Sequence, residues 1–353
     1  TQTYSAAITL GTAARTLEGS TIQTTTINGA QNLAITGNLD LNGIIGGSNA
    51  IGVFSVSGTS NLGANVTTTG TQTYSGAVTL STNATLTSSS DNFTFSSTVD
   101  SDSSTRNLTL SAGSGTIGIT NAIGGNAALG TLTITQSGGT TFSGTVNADT
   151  VTLTDTTGSV TFAGSVDLET LNTADQTYNV ILNGDSNAIT DAVTFSNTGY
   201  VTLVSGGDTS VFTGGVTAAI PSQINIGGTV QSTNTAIVLG ASGSHVIVLT
   251  ANSTISGNTS GAISLNGTVN GAYTLTLNST AATTFAATVG NNAPLTAITT
   301  NSGGTVVFNT TAISTDGDQT YNDAATLGGN ITFTTTGDDI VFASTLNSDD
   351  TTR

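Results

Sequence analysis

TQTYSGAVTL, residues 71–80, opens on four letters that the chain keeps repeating. TQTY stands at 1–4 and 71–74, and DQTY at 175–178 and 318–321. Four of the six tyrosines sit in this setting, each followed by a small or polar residue and an alternating stretch. Alternation runs through the rest of the chain, as in NLTL (107–110), TLTIT (131–135), TVTLT (150–154) and TLTL (274–277). Apolar residues take one parity and Thr the other, which is the period-2 signature of a half-buried strand, and Thr and Val both suit a pleated surface. Between these runs lie turn clusters such as AGSG (112–115) and IGGN (123–126). With two prolines, Pro221 and Pro294, and no sustained helical period, no helix is expected.

Internal repeats decide the architecture. Phe, three small residues and Val or Leu recur at Phe95, Phe142, Phe162, Phe212, Phe285 and Phe342. In a strand, positions i and i+4 face the same way, so each Phe is expected to point inward with its following Val or Leu. The spacings Phe142 to Phe162 (20) and Phe195 to Phe212 (17) suggest one turn of a β-solenoid. TINGAQNLAI (26–35) returns as TVNGAYTLTL (268–277), and IGGSNAIGVFSV (from Ile45) as IGGNAALGTLTI (from Ile123) and VGNNAPLTAIT (from Val289). FSSTVDSDSSTR (95–106) returns as FASTLNSDDTTR (342–353), an offset of 247 that also separates Tyr74 from Tyr321.

The expected fold is all-β, a parallel β-helix without helices. It would run through 1–353 as one continuous solenoid with modules 1–70, 71–174, 175–317 and an incomplete 318–353. Coils of about 18 to 20 residues, about 18 of them stacked at about 4.8 Å, would make a rod on the order of 85 Å long. The uneven gaps between TQTY copies fit insertion of whole coils, since each coil touches only its neighbours. Neither end departs from the interior pattern, and the start has neither an initiator Met nor a basic leader, so an excerpt of a longer array is expected.

Composition narrows the functional classes. Charged residues make up 7% of the chain, against about 25% in ordinary globular proteins. Disorder is excluded because 36% of residues are apolar and the mean hydropathy is positive. Net charge is −17, with Arg15, Arg106 and Arg353 the only basic side chains besides one His. Three cations do not neutralise a run of phosphates, so no nucleic-acid partner is expected. Apolar runs such as VIVL (246–249) are too short to cross a bilayer, so no membrane insertion is expected. Without Cys the fold is independent of redox conditions, and without Lys there is no Schiff-base chemistry.

Thr/Asn/Gly-rich, Lys-free modules alternating QTYxxxVTL-like, TVNGxxxLTL-like and TFxGTV-like segments resemble the shaft repeats of giant bacterial surface exoproteins. These are the filamentous-haemagglutinin-like, two-partner-secretion adhesins. The resemblance covers essentially the whole chain and rests on repeat style and composition. It implies a right-handed β-helix displayed on, or shed from, the bacterial cell surface. It transfers no binding residue.

Sites that would carry chemistry were weighed against ordinary solenoid roles. GSGTIG (113–118) has G-x-G-x-x-G spacing after a strand-like stretch, but a dinucleotide site needs a helix there and the following residues have no helical period. His245 follows Ser244, but neighbours in a strand face opposite ways, so a Ser–His pair is not expected. Carboxylates cluster at Asp100/Asp102, Asp338/Asp339 and Asp349/Asp350. Solvated turns, with Arg106 and Arg353 as local ion-pair partners, are expected over Ca²⁺ binding. Repeat symmetry unbroken by capable residues speaks against catalysis. An ice-binding face would need outward Thr once per coil in fixed register, and the sequence spacing of TLTIT and TVTLT is irregular. Sequons at Asn83, Asn92, Asn107, Asn252 and Asn266 are expected by chance in a chain this rich in Asn, Ser and Thr.

The expected role is therefore structural and non-enzymatic, with no catalytic, cofactor or metal residues: the shaft of an extracellular adhesin or surface fibre. Its partners would be neighbouring repeats or identical subunits, with host or surface glycans as a further class. The alternatives are a self-assembling filament or matrix subunit stacking end to end, and a carbohydrate-binding or carbohydrate-cleaving β-helix.

Overall fold

The computed structural model describes residues 1–241 and 244–349. The chain divides into two compact units, Thr1–Tyr178 and Asn179–Arg353. Among the described residues there is no helix, and parallel strands wind into a β-solenoid of about 16 turns.

One coil of the first unit shows the plan. Gln72–Tyr74, Val78–Leu80 and Ala84–Ser88 form three sides, each with alternate residues buried. Each side pairs with the same side of the next coil: Gln72 with Phe93, Val78 with Val99 and Ala84 with Leu108. The steps along the chain are 21, 21 and 24 residues for these pairs. Elsewhere they range from 17 (Ile22 to Leu39) to 26 (Ile237 to Ile263). Coils are thus mostly longer and fewer than expected, because the corners absorb extra residues without disturbing the ladders.

The inward parity builds columns of apolar side chains. Val66, Leu86, Leu110, Ile134 and Leu153 pair successively in the first unit, and all are fully buried. In the second, Leu239, Leu265, Phe285 and Phe308 do the same. Each such side chain contributes about 1.5–3 kcal/mol through burial.

The Phe phrase points inward as expected, but for a different reason. Phe142 ends strand Gly139–Phe142, while Val146 begins Val146–Thr156 on the next side of the coil. Phe95/Val99 and Phe162/Val166 are divided in the same way. The small residues between them are a corner, not the middle of one strand. A Cβ on Gly76, Gly144 or Gly164 would collide with the backbone of the coil beneath, so the tight corner requires glycine there. Phe142 and Phe162 are stacked register partners, with ring centroids 4.8 Å apart. Phe195 and Phe212 are not: Phe212 pairs with Ile189 and Ser232, and the two rings meet edge-on across the core at 6.5 Å. The 17-residue spacing is therefore no coil length.

Asparagines tie one corner to the next. The side-chain carbonyls of Asn65, Asn83 and Asn107 accept the backbone N–H of Thr85, Asn107 and Thr131 in the following coil, at 2.8–2.9 Å. Asn92 and Asn252 do the same for Thr116 and Thr274. This gives the N-x-T triplets a structural grammar: Asn caps the corner, x enters the core and Thr faces out, as in Asn107-Leu108-Thr109. The sequons at Asn83, Asn92, Asn107 and Asn252 thus have structural roles, while Asn266 departs from the pattern and donates its Nδ2 to Gly240 O at 3.3 Å.

The IGG phrase is a second corner device. Gly46, Gly124 and Gly290 adopt φ of 73°, 66° and 70°, where glycine is favoured. The loop that follows donates two backbone N–H groups to one acceptor in the preceding coil. Asn28 accepts from Ser48 and Asn49, Asp100 from Asn126 and Ala127, and Asn270 from Asn292 and Ala293. The TINGAQ and TVNGAY phrases thus supply acceptors for the IGG-type loops one coil later.

Candidate functional site

The most elaborate constellation of polar side chains lies inside the core, at two of the four QTY copies. In strand Gln72–Tyr74 the middle Thr points out, and Gln72 and Tyr74 point in, fully buried. Gln72 Nε2 donates to Thr87 O (2.9 Å), Thr68 Oγ1 (3.2 Å) and Val66 O (3.4 Å), and its Oε1 accepts the Tyr74 hydroxyl at 3.0 Å. Thr68 Oγ1 in turn donates to Gly70 O at 2.6 Å. The ring of Tyr74 stacks on Phe95 at 5.0 Å.

The same box recurs 247 residues later. Gln319 Nε2 donates to Thr334 O (2.8 Å), Thr315 Oγ1 (3.1 Å) and Ile313 O (3.4 Å), and Tyr321 donates to Gln319 Oε1 at 3.0 Å. Tyr321 stacks on Phe342 at 5.0 Å. The signal in the sequence is Thr-x-Gly-x-Gln-x-Tyr, at Thr68 to Tyr74 and Thr315 to Tyr321. Burial pushes both phenols well above the usual tyrosine range. With every hydrogen-bonding atom of the Gln amide engaged and no opening to solvent, the box is a structural clasp. Tyr74 and Tyr321 pack and stack.

The other two copies differ. Gln2–Tyr4 is a strand with the same Tyr-to-Gln bond (2.9 Å), but Gln2 is exposed, and it stacks under Ile22, Leu39 and Ser60, a different side of the coil from Gln72. Residues 175–177 form an exposed bend and only Tyr178 is buried.

The residues weighed for chemistry fall as follows. After Gly113, at φ 59°, GSGTIG continues into strand Thr116–Ile119, so no helix N-terminus is offered to a pyrophosphate. His245 lies in the bend before Val246–Leu249, half-buried, its Nδ1 covered and without a hydrogen-bond partner among the described residues; residues 242 and 243 beside it lie outside them. Asp100 is buried, and besides its two backbone donors it accepts Asn126 Nδ2 at 3.1 Å. Asp102 forms a bidentate pair with Arg106 at 2.9 and 2.8 Å and accepts the Ser104 N–H. The hydrogen bonds from Arg106 hold the Asp102 carboxyl below its ordinary range. Asp338 and Asp339 are exposed, and Asp339 N–H reaches Asp318 Oδ1 at 3.1 Å. Asp350 and Arg353 lie outside the described residues. Among the described residues, no three His, Cys, Asp or Glu side chains converge on one point.

Sequence reasoning missed Asp323, which is 1% exposed. Its Oδ1 accepts Gly304 N–H at 2.8 Å, but Oδ2 has no hydrogen-bond partner among the described residues. Burial raises its pKa. It stands two residues after Tyr321, where the parallel corner after Tyr74 has Gly76. No motif marks it.

Outside, the register overturns the argument from spacing. Thr85, Thr109, Thr133 and Thr152 lie in four successive coils and pair directly, although they are 24, 24 and 19 residues apart. Thr131 and Thr150 pair in a neighbouring row. In the second unit Thr209, Thr229, Thr254, Thr276, Thr299 and Thr320 form one unbroken row, one threonine per coil. All of them face outward and are half-buried by their neighbours. Irregular corners hide a regular face. No protein-family model, curated protein or solved structure matches the chain.

Proposed function

We propose that the chain is part of the shaft of an extracellular bacterial adhesin or surface fibre, of the filamentous-haemagglutinin-like kind, and that its work is mechanical and not catalytic. The observation that carries this reading is the fate of the polar groups. Corner asparagines, Asp100 and the two Gln–Tyr boxes are all spent on tying strand to strand and coil to coil. Within each unit, the parallel ladders then bear load through backbone hydrogen bonds shared between successive coils.

Immunogold electron microscopy of the source cells, with antibodies to this chain, tests the reading. Label along fibres at the cell surface is expected, and label confined to the cell interior overturns it. Uniform filaments grown from the purified chain would replace the shaft by a self-assembling subunit. Turnover of a polysaccharide by the purified chain would replace it by an enzyme.

A further inference from the structure

One corner of the second unit leaves its polar groups unspent. Strands Ile263–Leu265, Ala282–Phe285 and Thr305–Phe308 stack in register, and past the corner Val269, Val289 and Ile313 bridge one another in turn. The chain takes four steps from Leu265 to Val269 and from Phe285 to Val289, but five from Phe308 to Ile313. The third corner thus has one residue more to place. A recess of about 300 Å³ lies here, between Ala286, Ala287 and Thr288 on one coil and Asn309, Thr310 and Thr311 on the next. That volume is at the lower end of small-molecule sites, about 300–1,000 Å³, and suits a single ring.

Thr310 is 5% exposed, and its hydroxyl has no hydrogen-bond partner among the described residues. The side chains of Thr288, Asn309 and Thr311 make no hydrogen bond there either. Elsewhere in this unit Asn252 and Asn270 hold backbone N–H groups of the following coil, whereas Asn309 holds none. A hydroxyl withdrawn from water without a partner is unfavourable until a ligand supplies one.

No residue from Val246 to Thr315 is charged, in a chain with 20 carboxylates, so these coils offer a charged ligand no counter-charge. The recess has no carboxylate for a divalent cation and no aromatic ring for a flat ligand to stack on. It has one amide and three hydroxyls beside the methyls of Ala286 and Ala287. That set matches a neutral, hydroxyl-rich ligand with a small apolar face.

We propose that the recess binds one neutral sugar ring. The ring hydroxyls exchange hydrogen bonds with Asn309, Thr288, Thr310 and Thr311, and its C–H face rests on the two alanine methyls. This adds a ligand site to the shaft, and its failure would leave the mechanical reading untouched.

The test is a saturation-transfer NMR titration of the purified chain with chitotriose and maltotriose, and with trigalacturonate as the charged comparator. Saturable binding of a neutral probe is expected with a Kd on the order of 1 mM, as befits one ring in an open recess, and none of trigalacturonate. Ala286→Phe, which fills the recess from an exposed position, should weaken binding at least tenfold, while Ser302→Phe at another corner should bind as wild type. Thr310→Val keeps the shape and removes only the hydroxyl. It should weaken binding about fivefold and leave the melting temperature unchanged or higher, since no bond within the fold is lost. Absence of saturable binding by both neutral probes overturns the proposal, as does tighter binding of trigalacturonate. Wild-type affinity in Ala286→Phe overturns it too, and so does a Thr310→Val chain that melts earlier but binds as before.

Discussion

The letters QTY at 72–74 and at 176–178 are identical, and they fold differently. At 72–74 they make a strand with Gln72 buried and clasped; at 176–178 they make a bend with Gln176 in solvent. The difference lies outside the tripeptide. Gln72 has Thr68 four residues before it, to share its amide, and Gly70 two before it, whose carbonyl takes the Thr68 hydroxyl. Gln176 has Asn172 and Ala174 at those places. A buried primary amide costs about 1–3 kcal/mol for each unsatisfied group, so without that setting Gln stays outside. Tyr178 still goes in, and its hydroxyl accepts the Ala174 N–H (3.0 Å) and donates to Leu153 O (3.4 Å). Burial lifts its pKa to about 12, and the donors from Ala174 and Thr173 restrain the rise. Tyr74, which only donates, is lifted further.

The contrast can be broken at several points. Truncating Tyr74 to Ala removes a buried ring stacked on Phe95 and is expected to cost about 3–5 kcal/mol in denaturant unfolding. The half-exposed Tyr4→Ala should cost about 0.5 kcal/mol or less. Removing one hydroxyl from the clasp with Thr68→Val should cost about 1 kcal/mol, while Asn172→Val at the matching position of the bend should stay within about 0.5 kcal/mol.

Asp323 sharpens the contrast between the two boxes, since only the one at Tyr321 has a buried carboxyl at the following corner. Its folded pKa lies above the unfolded value of about 3.9, so between the two the folded chain binds more protons. Stability should therefore fall as pH rises from about 4 through the folded pKa. Asp323→Asn should raise the melting temperature at neutral pH and flatten its pH dependence. An unchanged profile would show that this carboxyl is solvated.

Much of this was legible in the letters. Period-2 alternation gave the strands, and the 247-residue offset marked two boxes that share every hydrogen bond. The letters alone made the four QTY copies look alike; Thr-x-Gly-x-Gln-x-Tyr separates the two clasped copies from the bend, but it becomes readable only once the bonds of Thr68 and Gly70 are seen. What stayed hidden belongs to the corners. Their variable length made the coils look shorter than they are, split each Phe from its Val onto two strands, and made the rows of Thr85, Thr109, Thr133 and Thr152 look irregular. Register is set by the core, whose side chains must stack, whereas spacing in sequence also counts every residue the corner lets out. Asp100 reads as a solvated turn carboxylate and the corner asparagines as chance sequons because their partners are backbone groups 20 to 27 residues on, which no local pattern reveals.

The most direct test of a fold clasped by context is a paired measurement of equilibrium unfolding, Gln72→Ala against Gln176→Ala. Gln72→Ala leaves the Tyr74 hydroxyl without its acceptor, takes the amide donor from the Thr87 carbonyl and opens a cavity, and is expected to cost about 2 kcal/mol or more. Gln176→Ala should change stability by about 0.5 kcal/mol or less. Equal losses at the two positions, or a neutral Gln72→Ala, would contradict the account.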